Sequence, residues 1–580
     1  MSDSRNDRLR RARPVLALAA VAFLTGAIVG AHRGSSASLD LAESYARAWS
    51  RADYAQMYGE ITPSARHETS AGAFAAAHRA ALRTATATAA APVGHARSSG
   101  DGRVSVPVRV HTRLWGTLTL PLTLDIVSIE GSQRVEWSPS ATFPGVPSGA
   151  TLTRRTTLPR RATLLARDGK VMAESPPEGQ AGGRSLPLGE AFTGVVGDVG
   201  PIPAARRRSL EAEGVPPDAE VGTSGLELAL DARLRGRPGG ELLAGETVLA
   251  SARPQGEHAL RTTISPPVQE AAVAALGGQL GGIVAMQPAT GQIVAVAGIG
   301  LDGLQPPGST FKMITLAGVL SAHLATPKTT FPYATYATLD GVRLNNANGE
   351  ECGGSLELAF AVSCNSVFSP LGVKLGAARL VAMAERFGFN QDPGVRGSAR
   401  STLPAANAIQ GELETGSTAI GQGEVLATPL QMATVASAIA DGGHRPAPAF
   451  LMDAPRGGAT AVSPEVARTV RHLMTEVVRE GTGTSAAIPG VVVAGKTGTA
   501  ELKSCSASPE EAEAGETTGS EATEGCSGGE STAANTDAWF AAFAPAVHPR
   551  IAVCVMLVKD GAGGDTAAPV ARTVLEAGLG

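Results

Sequence analysis

The apolar positions fall into a few contrasting patterns along the chain. An uninterrupted apolar run extends from Val15 to Ala31, directly behind Arg5, Arg8, Arg10, Arg11 and Arg13. Such a run is about long enough to cross a bilayer, at the short end of the range of ~17–25 residues. With arginines before it and none inside it, it predicts a membrane anchor over residues 1–34, a cytoplasmic N-terminus and an exported remainder. A cleaved signal peptide ending near Val29-Gly30-Ala31 is the competing reading, and it places the rest of the chain on the same side.

Beyond the anchor the periodicity changes. Leu39 to Tyr58 and Ala73 to Ala91 carry helical apolar spacing with few breakers. Val104 to Val110 alternates as a strand does, and Leu118 to Ile129 continues in the same fashion. Residues 35–148 are therefore expected to form a small α+β domain. Residues 149–262 are rich in Pro, Gly and Arg with short apolar runs, which predicts an irregular linking domain. From 263 to 580 the elements are longer. A helix opens near Pro266, and two apolar strands flank Pro288-Ala289-Thr290-Gly291, a hairpin signal. Met313 to Leu324 is apolar nearly all round, as in a helix buried inside a domain. Strand patterns return at Trp539 to Ala544 and Ile551 to Val558. The expected class is multidomain α+β.

Composition adjusts this picture in three places. At 580 residues the chain is too long for one core; a prior of roughly 100–200 residues per domain gives three or four units. The net charge of −4 gives no reason to expect a nucleic-acid partner. Residues 504–536 consist largely of Ser, Thr, Gly, Ala and Glu, with Glu510, Glu511, Glu513, Glu516, Glu521, Glu524 and Glu530. Such a stretch buries too little apolar surface to offset its ordering entropy and is expected to be a mobile acidic insert. The five cysteines are Cys352, Cys364, Cys505, Cys526 and Cys554. No CxxC or Cys/His ligand spacing occurs, which argues against zinc. On the exported side disulfides are permitted. Cys505–Cys526 is the first expected pair and Cys352–Cys364 the second, with Cys554 a small buried side chain in an apolar strand.

Three motifs carry candidate chemistry. Ser309 and Lys312 stand three apart at a helix start marked by Pro307-Gly308, so hydroxyl and amine share one face. A desolvated lysine near another cation can deprotonate a serine, and the helix N-terminus offers N–H groups to an oxyanion. Ser363-Cys364-Asn365 follows a helix capped by Ser355 with Glu357 in its first turn. It places a hydroxyl and an amide on one tight turn. Lys496-Thr497-Gly498-Thr499 follows the strand-like Val491 to Ala494; Gly498 would let a ligand approach the backbone. Singly each is weak, and Ser4-Arg5-Asn6 repeats the second pattern by chance. In this order, on helix, turn and strand, they form the three-motif signature of penicillin-binding proteins and serine β-lactamases. No Gly-x-Ser-x-Gly, His-Glu-x-x-His or Gly-x-Gly-x-x-Gly competes, and His323, His444, His472 and His548 are scattered.

From about Thr262 onward the chain resembles the transpeptidase domain of class B penicillin-binding proteins. The likeness includes Gly282 through Gly291, Ala419 through Gly423, Ala427 through Ala433, Ala494 through Glu501, and Asp537 through Phe540. Glu136-Trp137-Ser138-Pro139 and Phe143-Pro144 resemble the end of the NTF2-like domain of methicillin-resistance-type members. Ser224 through Glu227 and Leu234 through Gly239 look like the family's pedestal, or dimerisation-like, segment. The resemblance implies that Ser309 attacks the penultimate D-Ala carbonyl of a peptidoglycan stem peptide, and that Lys312 takes its proton. It implies that Ser363 relays a proton to the leaving D-Ala, tuned by Lys496, that Asn365 orients the substrate amide, and that Thr497, Gly498 and Thr499 line the carboxylate site. Backbone N–H groups of Ser309 and Thr499 would form the oxyanion hole. β-Lactam antibiotics would acylate Ser309, no metal or organic cofactor is required, and a glycan polymerase of the cell-wall machinery is an expected partner. The alternatives are a β-lactam sensor, or a D,D-carboxypeptidase or β-lactamase-like hydrolase of the same fold.

Overall fold

The computed structural model describes residues 36–176, 183–501 and 535–580. The anchor candidate and the Cys505–Cys526 pair lie outside the described residues, as does all of the acidic insert except Asn535 and Thr536. Thr536 already belongs to a strand. Among the described residues no single helix is long and apolar enough to cross a membrane. The chain is wound between two compact units. One takes in residues up to Arg161 with 201–220 and 235–257, the other 162–200, 221–234 and 258–580. The segment 149–262 thus contributes to both.

In the first unit, helices at 36–50, Tyr54–Glu60, Pro63–Glu68 and Ala71–Thr84 pack on a sheet whose central strands are Arg103–Thr112 and Thr117–Ile129. The expected Leu39–Tyr58 helix is two helices. Ala52 turns the chain at φ 57°, and the Asp53 side chain accepts the Gln56 N–H to restart it. The Ala73–Ala91 stretch also divides. Its helix ends at Thr84, Thr86 takes φ 49°, and Ala87–Pro92 is a strand paired with Arg103–Thr112. Thr84, Thr86 and Thr88 alternate with alanine there, a β-branched period of two that outweighs the helical bias of alanine. Val104, Val106, Val108 and Val110 all enter the core with Tyr45, Trp49, Phe74 and Trp137. A second sheet of Leu152–Thr157, Gly239–Ala244 and Thr247–Ala252 belongs to the same unit.

His78 is fully buried on the Ala71–Thr84 helix, 4.3 Å from the Phe74 ring and stacked on Trp137 at 6.0 Å. Burial lowers its pKa to about 4, against a hydrogen bond to the Phe74 carbonyl that acts the other way. The depressed value means that the unfolded chain binds the proton first. Stability is full above about pH 6.5 and falls as the pH drops toward 4, by about 3 kcal/mol over that window. The hydrogen-exchange protection factors of this helix, corrected for the intrinsic exchange rate at each pH, are expected to fall between pH 6.5 and 4, and His78→Phe should flatten that dependence.

The second unit is organised by a five-stranded antiparallel sheet in the order Ile293–Gly298, Gly281–Met286, Ile551–Leu557, Thr536–Ala544, Ala494–Glu501. Its middle strands are buried on both faces. Ile551, Val553, Val555 and Leu557 meet the Pro266–Leu276 and Ala567–Leu579 helices, whereas Ala552, Cys554 and Met556 face the larger helical layer. Continuous apolar strands between two helical layers are what such double burial requires. The helices Lys312–Ser321 and Pro429–Ala440 run through the larger layer. Every residue of Pro429–Ala440 is buried, and in Lys312–Ser321 every residue up to Leu320 is buried. Beside the strands Thr163–Leu165 and Val171–Ala173, Arg184 and Glu227 form a buried ion pair at 2.7 Å, and Arg184 also donates to the Ala162 and Ala173 carbonyls. Cys554 is a free, buried thiol as expected.

Candidate active site

Three elements of the second unit converge. Gly308–Phe311 is a single 3₁₀ turn that runs into the Lys312–Ser321 helix, fixed by the Thr310 hydroxyl donating to the Pro307 carbonyl at 2.7 Å. Ser309 is half-buried on this turn, and Lys312, one turn on, is fully buried. The second element is the joint between helices Leu356–Ala361 and Asn365–Leu375. Ser355 caps the first of these, its hydroxyl accepting the Leu358 N–H at 3.1 Å. The helix closes with the Cys364 N–H on the Ala359 carbonyl, and this leaves Ser363 at φ +62°. A non-glycine residue in the left-handed region costs of order 1–3 kcal/mol and persists only where its surroundings hold it. Part of that hold is covalent: Cys364 is disulfide-bonded to Cys352 on the Cys352–Ser355 strand. The third element is the sheet's edge strand, Ala494–Glu501. The strand expected over Val491–Ala494 begins at Ala494, so Lys496 to Thr499 lie inside it rather than past its end. The ladder to Thr536–Ala544 runs through all four residues.

The two lysines meet at Ser363. The Lys312 amine donates to the Ser363 carbonyl and to Asn365 Oδ1, both at 2.6 Å, and lies 3.4 Å from Ser363 Oγ. The Lys496 amine donates to the same Ser363 Oγ at 2.8 Å and to the Thr497 carbonyl at 3.1 Å. Each amine sits over an aromatic ring, Lys312 over Phe368 at 5.6 Å and Lys496 over Phe360 at 5.5 Å. Burial holds the Lys312 amine well below its ordinary pKa, and the neighbouring Lys496 charge pushes the same way. Burial alone brings Lys496 down to about 7. Both effects favour the neutral amine at Lys312, while Lys496, at about 7, keeps a proton available below neutral pH. The arrangement can deprotonate a hydroxyl and return a proton to a leaving group.

Strand alternation turns Lys496 and Gly498 one way and Thr497 and Thr499 the other. Thr497 Oγ1 is 2.6 Å from Thr482 Oγ1, and Thr499 Oγ1 accepts the Gly563 N–H at 3.4 Å. A side chain at Gly498 would meet the Pro307 carbonyl at 2.7 Å, so strand and nucleophile turn are packed backbone to backbone. Gly308, at φ +51°, approaches the Thr499 carbonyl, and Gly421 approaches the Gly308 carbonyl more closely still. The site offers amines, hydroxyls and an amide, with no metal-ligand set. Glu357, His472 and Glu476 each present a donor atom within 4.8 Å of the others on the neighbouring helices. Their carboxylates are engaged with His472 and Arg479 in an ion-pair network.

A family model described as the penicillin-binding protein transpeptidase domain matches residues 281–576, and one described as the penicillin-binding protein dimerisation domain matches residues 179–247. The first alone spans half of the chain and contains all three converging elements. The chain belongs to the class B penicillin-binding protein transpeptidase family. Among its relatives is the peptidoglycan D,D-transpeptidase PbpA of Mycolicibacterium smegmatis, 33% identical over 432 residues, which cover 62% of this chain and 80% of that protein. The MrdA D,D-transpeptidase of Acinetobacter baumannii is 26% identical over 68% of this chain and 65% of its own length. A penicillin-binding protein A structure from Mycobacterium tuberculosis, a penicillin G acyl-enzyme complex, superposes with a TM-score of 0.55 at 27% identity, covering 73% of this chain and all of that one.

Within this penicillin-binding protein all eight residues singled out from the sequence lie on the three elements, and Lys312, Ser363, Asn365, Lys496 and Thr497 are joined by hydrogen bonds. Other contributors carry no motif signal of their own. Thr482 stands in Gly481-Thr482-Gly483-Thr484, which carries no catalytic signal in sequence. Phe360 and Phe368 look like ordinary core residues in sequence. Asn346, buried, donates to the carbonyls of Ala334 and Glu350 and accepts the Ser366 N–H at 2.8 Å, docking the 330–355 excursion on the second motif.

Proposed function

We propose that this chain is a D,D-transpeptidase that cross-links peptidoglycan stem peptides through an acyl-enzyme on Ser309, and that β-lactams acylate the same hydroxyl. The observation that carries the reading is the buried Lys312 amine one turn beyond Ser309. A neutral amine has two N–H donors and one lone pair. Two donors are met by Ser363 O and Asn365 Oδ1 at 2.6 Å each, with Ser363 Oγ at 3.4 Å, and in this reading the lone pair accepts the Ser309 proton. The Ser309–carbonyl bond then forms, with backbone N–H groups of Ser309 and Thr499 facing the oxyanion. Lys496, protonated, polarises Ser363 Oγ, which passes its proton to the D-Ala nitrogen as the C–N bond breaks and is reprotonated by Lys312, 3.4 Å away, with the proton taken from Ser309. Asn365 orients the substrate amide, and Thr497 and Thr499, beside Gly498, receive its terminal carboxylate, with Thr482 orienting the Thr497 hydroxyl. An amine from a second stem peptide takes up the acyl group and frees Ser309.

The same reading makes residues 35–148 an NTF2-like domain and 149–262 the pedestal. It makes residues 1–34 a single-pass anchor with the catalytic domain outside the cytoplasm, where a glycan polymerase would supply strands. Deleting 1–34 behind a cleavable export signal should release a penicillin-binding protein into the soluble fraction; one still in the membrane would contradict the anchor.

Fluorescent-penicillin acylation followed over pH tests the chemistry. The rate is expected to rise as Lys312 loses its proton and to fall above pH about 7 as Lys496 loses its own. Because the two amines share one hydroxyl, these are apparent values of the pair. Lys496→Arg should carry the alkaline limb upward by more than a unit. An unchanged alkaline limb in that variant would remove Lys496 from the mechanism. Release of the penicilloyl group within seconds would favour the hydrolase reading.

A further inference from the structure

We propose that Tyr336 and Arg343 form a subsite for a carboxylate carried by the stem peptide on the N-terminal side of the scissile bond; this rests on the reading of the site as a transpeptidase centre. The strands Tyr336–Leu339 and Val342–Asn345 make a hairpin closed by Asp340-Gly341, both at positive φ, 48° and 81°. Ala337 and Leu339 are buried, whereas Tyr336, Thr338, Arg343 and Asn345 are exposed. The register pairs Tyr336 with Asn345 and Thr338 with Arg343, so these four side chains share one open face. On it the Arg343 guanidinium stacks 4.4 Å from the centre of the Tyr336 ring. Among the described residues Arg343 has no carboxylate partner. The nearby Asp340 is turned to the Leu413 N–H at 2.9 Å. A guanidinium already held against an aromatic ring loses little freedom when its fork meets a carboxylate.

The hairpin is tied to the catalytic groups through two hydrogen bonds. The Asn345 carbonyl accepts the Asn365 amide N–H at 2.8 Å, and Asn365 Oδ1 accepts from the Lys312 amine. A peptide with its terminal carboxylate at Thr497 and Thr499, its scissile carbonyl at Ser309 and its preceding amide at Asn365 continues past Asn365 onto this face. Penicillin, much shorter, ends at Asn365. The unit's tyrosines, Tyr333 and Tyr336, are 58% and 37% exposed at this location, the reverse of what packing alone would select.

The test uses the full chain, fluorescent penicillin, and two synthetic peptides ending in D-Ala-D-Ala. The peptides differ only in bearing a carboxylate or its carboxamide on the side chain before the terminal pair. Wild type is expected to prefer the carboxylate peptide. Arg343→Ala should lose about tenfold in kcat/KM for it, through KM, as expected for one charge-assisted bidentate contact. The carboxamide peptide and penicillin acylation should be unaffected, and Arg343→Lys should recover part of the loss. Equal treatment of both peptides by wild type overturns the subsite, as does an equal loss on both peptides or a parallel loss of penicillin acylation in Arg343→Ala. Absence of penicillin acylation in wild type would instead overturn the transpeptidase reading itself.

Discussion

Ser309→Ala is expected to abolish covalent penicillin labelling, and Lys312→Met to slow it by about 10²–10⁴-fold, the range typical of a general base. Neither change should unfold the protein. Ser309 is half-buried at the surface of a turn held by Thr310 and Pro307, so losing one hydroxyl leaves the turn's hydrogen bond in place. Lys312 is the more informative case. Its amine is wholly buried among Phe368, Ser363 and Asn365, and keeping an ionisable group there costs stability whichever form it adopts. A methionine fills nearly the same volume without that cost, though it leaves the Ser363 carbonyl and Asn365 Oδ1 short of a donor. The melting temperature of Lys312→Met should therefore stay near or above that of wild type while acylation collapses. Undiminished labelling of Ser309→Ala, or a normal acylation rate in Lys312→Met, would overturn these roles.

Removing the Cys352–Cys364 bridge by a double alanine substitution is expected to lower stability and slow acylation together. The bridge closes a loop with a sequence separation of 12, for which the chain-entropy model gives about 3 kcal/mol. Its placement matters more for chemistry than its length. Cys364 sits between Ser363, held at φ +62°, and Asn365, and Cys352 belongs to the strand that leads into the cap of the preceding helix. Freed of the bridge, Ser363 can relax its φ at the expense of its position between the two amines. The expected result is a roughly tenfold slower acylation, equivalent to a ~1.4 kcal/mol rise in barrier, reproduced by reductant on the wild type and absent when reductant is added to the double variant. Acylation unaffected by both treatments would show that the helix end alone holds Ser363.

The catalytic elements were legible because their chemistry demands particular residue types at short spacings. Ser309 and Lys312 share a helix face, Ser363 and Asn365 share a turn, and scarce lysines stand at two of the three motifs. The sheet was legible for a different reason: Ile551–Leu557 is apolar at every position, a pattern that only double burial tolerates. What escaped depends on contacts across long separations. The role of Thr482 is set by a partner fifteen positions away and that of Asn346 by one twenty away, and no local pattern encodes either. The second expected pair, Cys352–Cys364, is the one the structure forms, because the strand bearing Cys352 pairs beside the turn that bears Cys364; the other pair lies outside the described residues. Ala73–Ala91 misled because alanine is compatible with either element, and the three alternating threonines were the decisive and smaller signal. The segment 149–262 could not be partitioned from its composition, since its strands pair with one another across long separations, Leu152–Thr157 with Gly239–Ala244 and Thr163–Leu165 with Ala259–Arg261, and the two sheets fall in different units.

The interlock of Gly308, Gly421 and Gly498 bears on how such a protein can change under drug selection. Each glycine faces a backbone carbonyl less than 3 Å from where a Cβ would stand, and two of them are at positive φ. Every amino-acid replacement at these positions sets a side chain against a backbone carbonyl. The backbone packing around the Ser309 turn is therefore closed to gradual alteration. Adaptation that lowers antibiotic affinity while sparing cross-linking has to proceed at the rim, where exposed positions such as Val342 and Asn345 tolerate replacement, and serial passage under penicillin should enrich substitutions there and leave the three glycines intact.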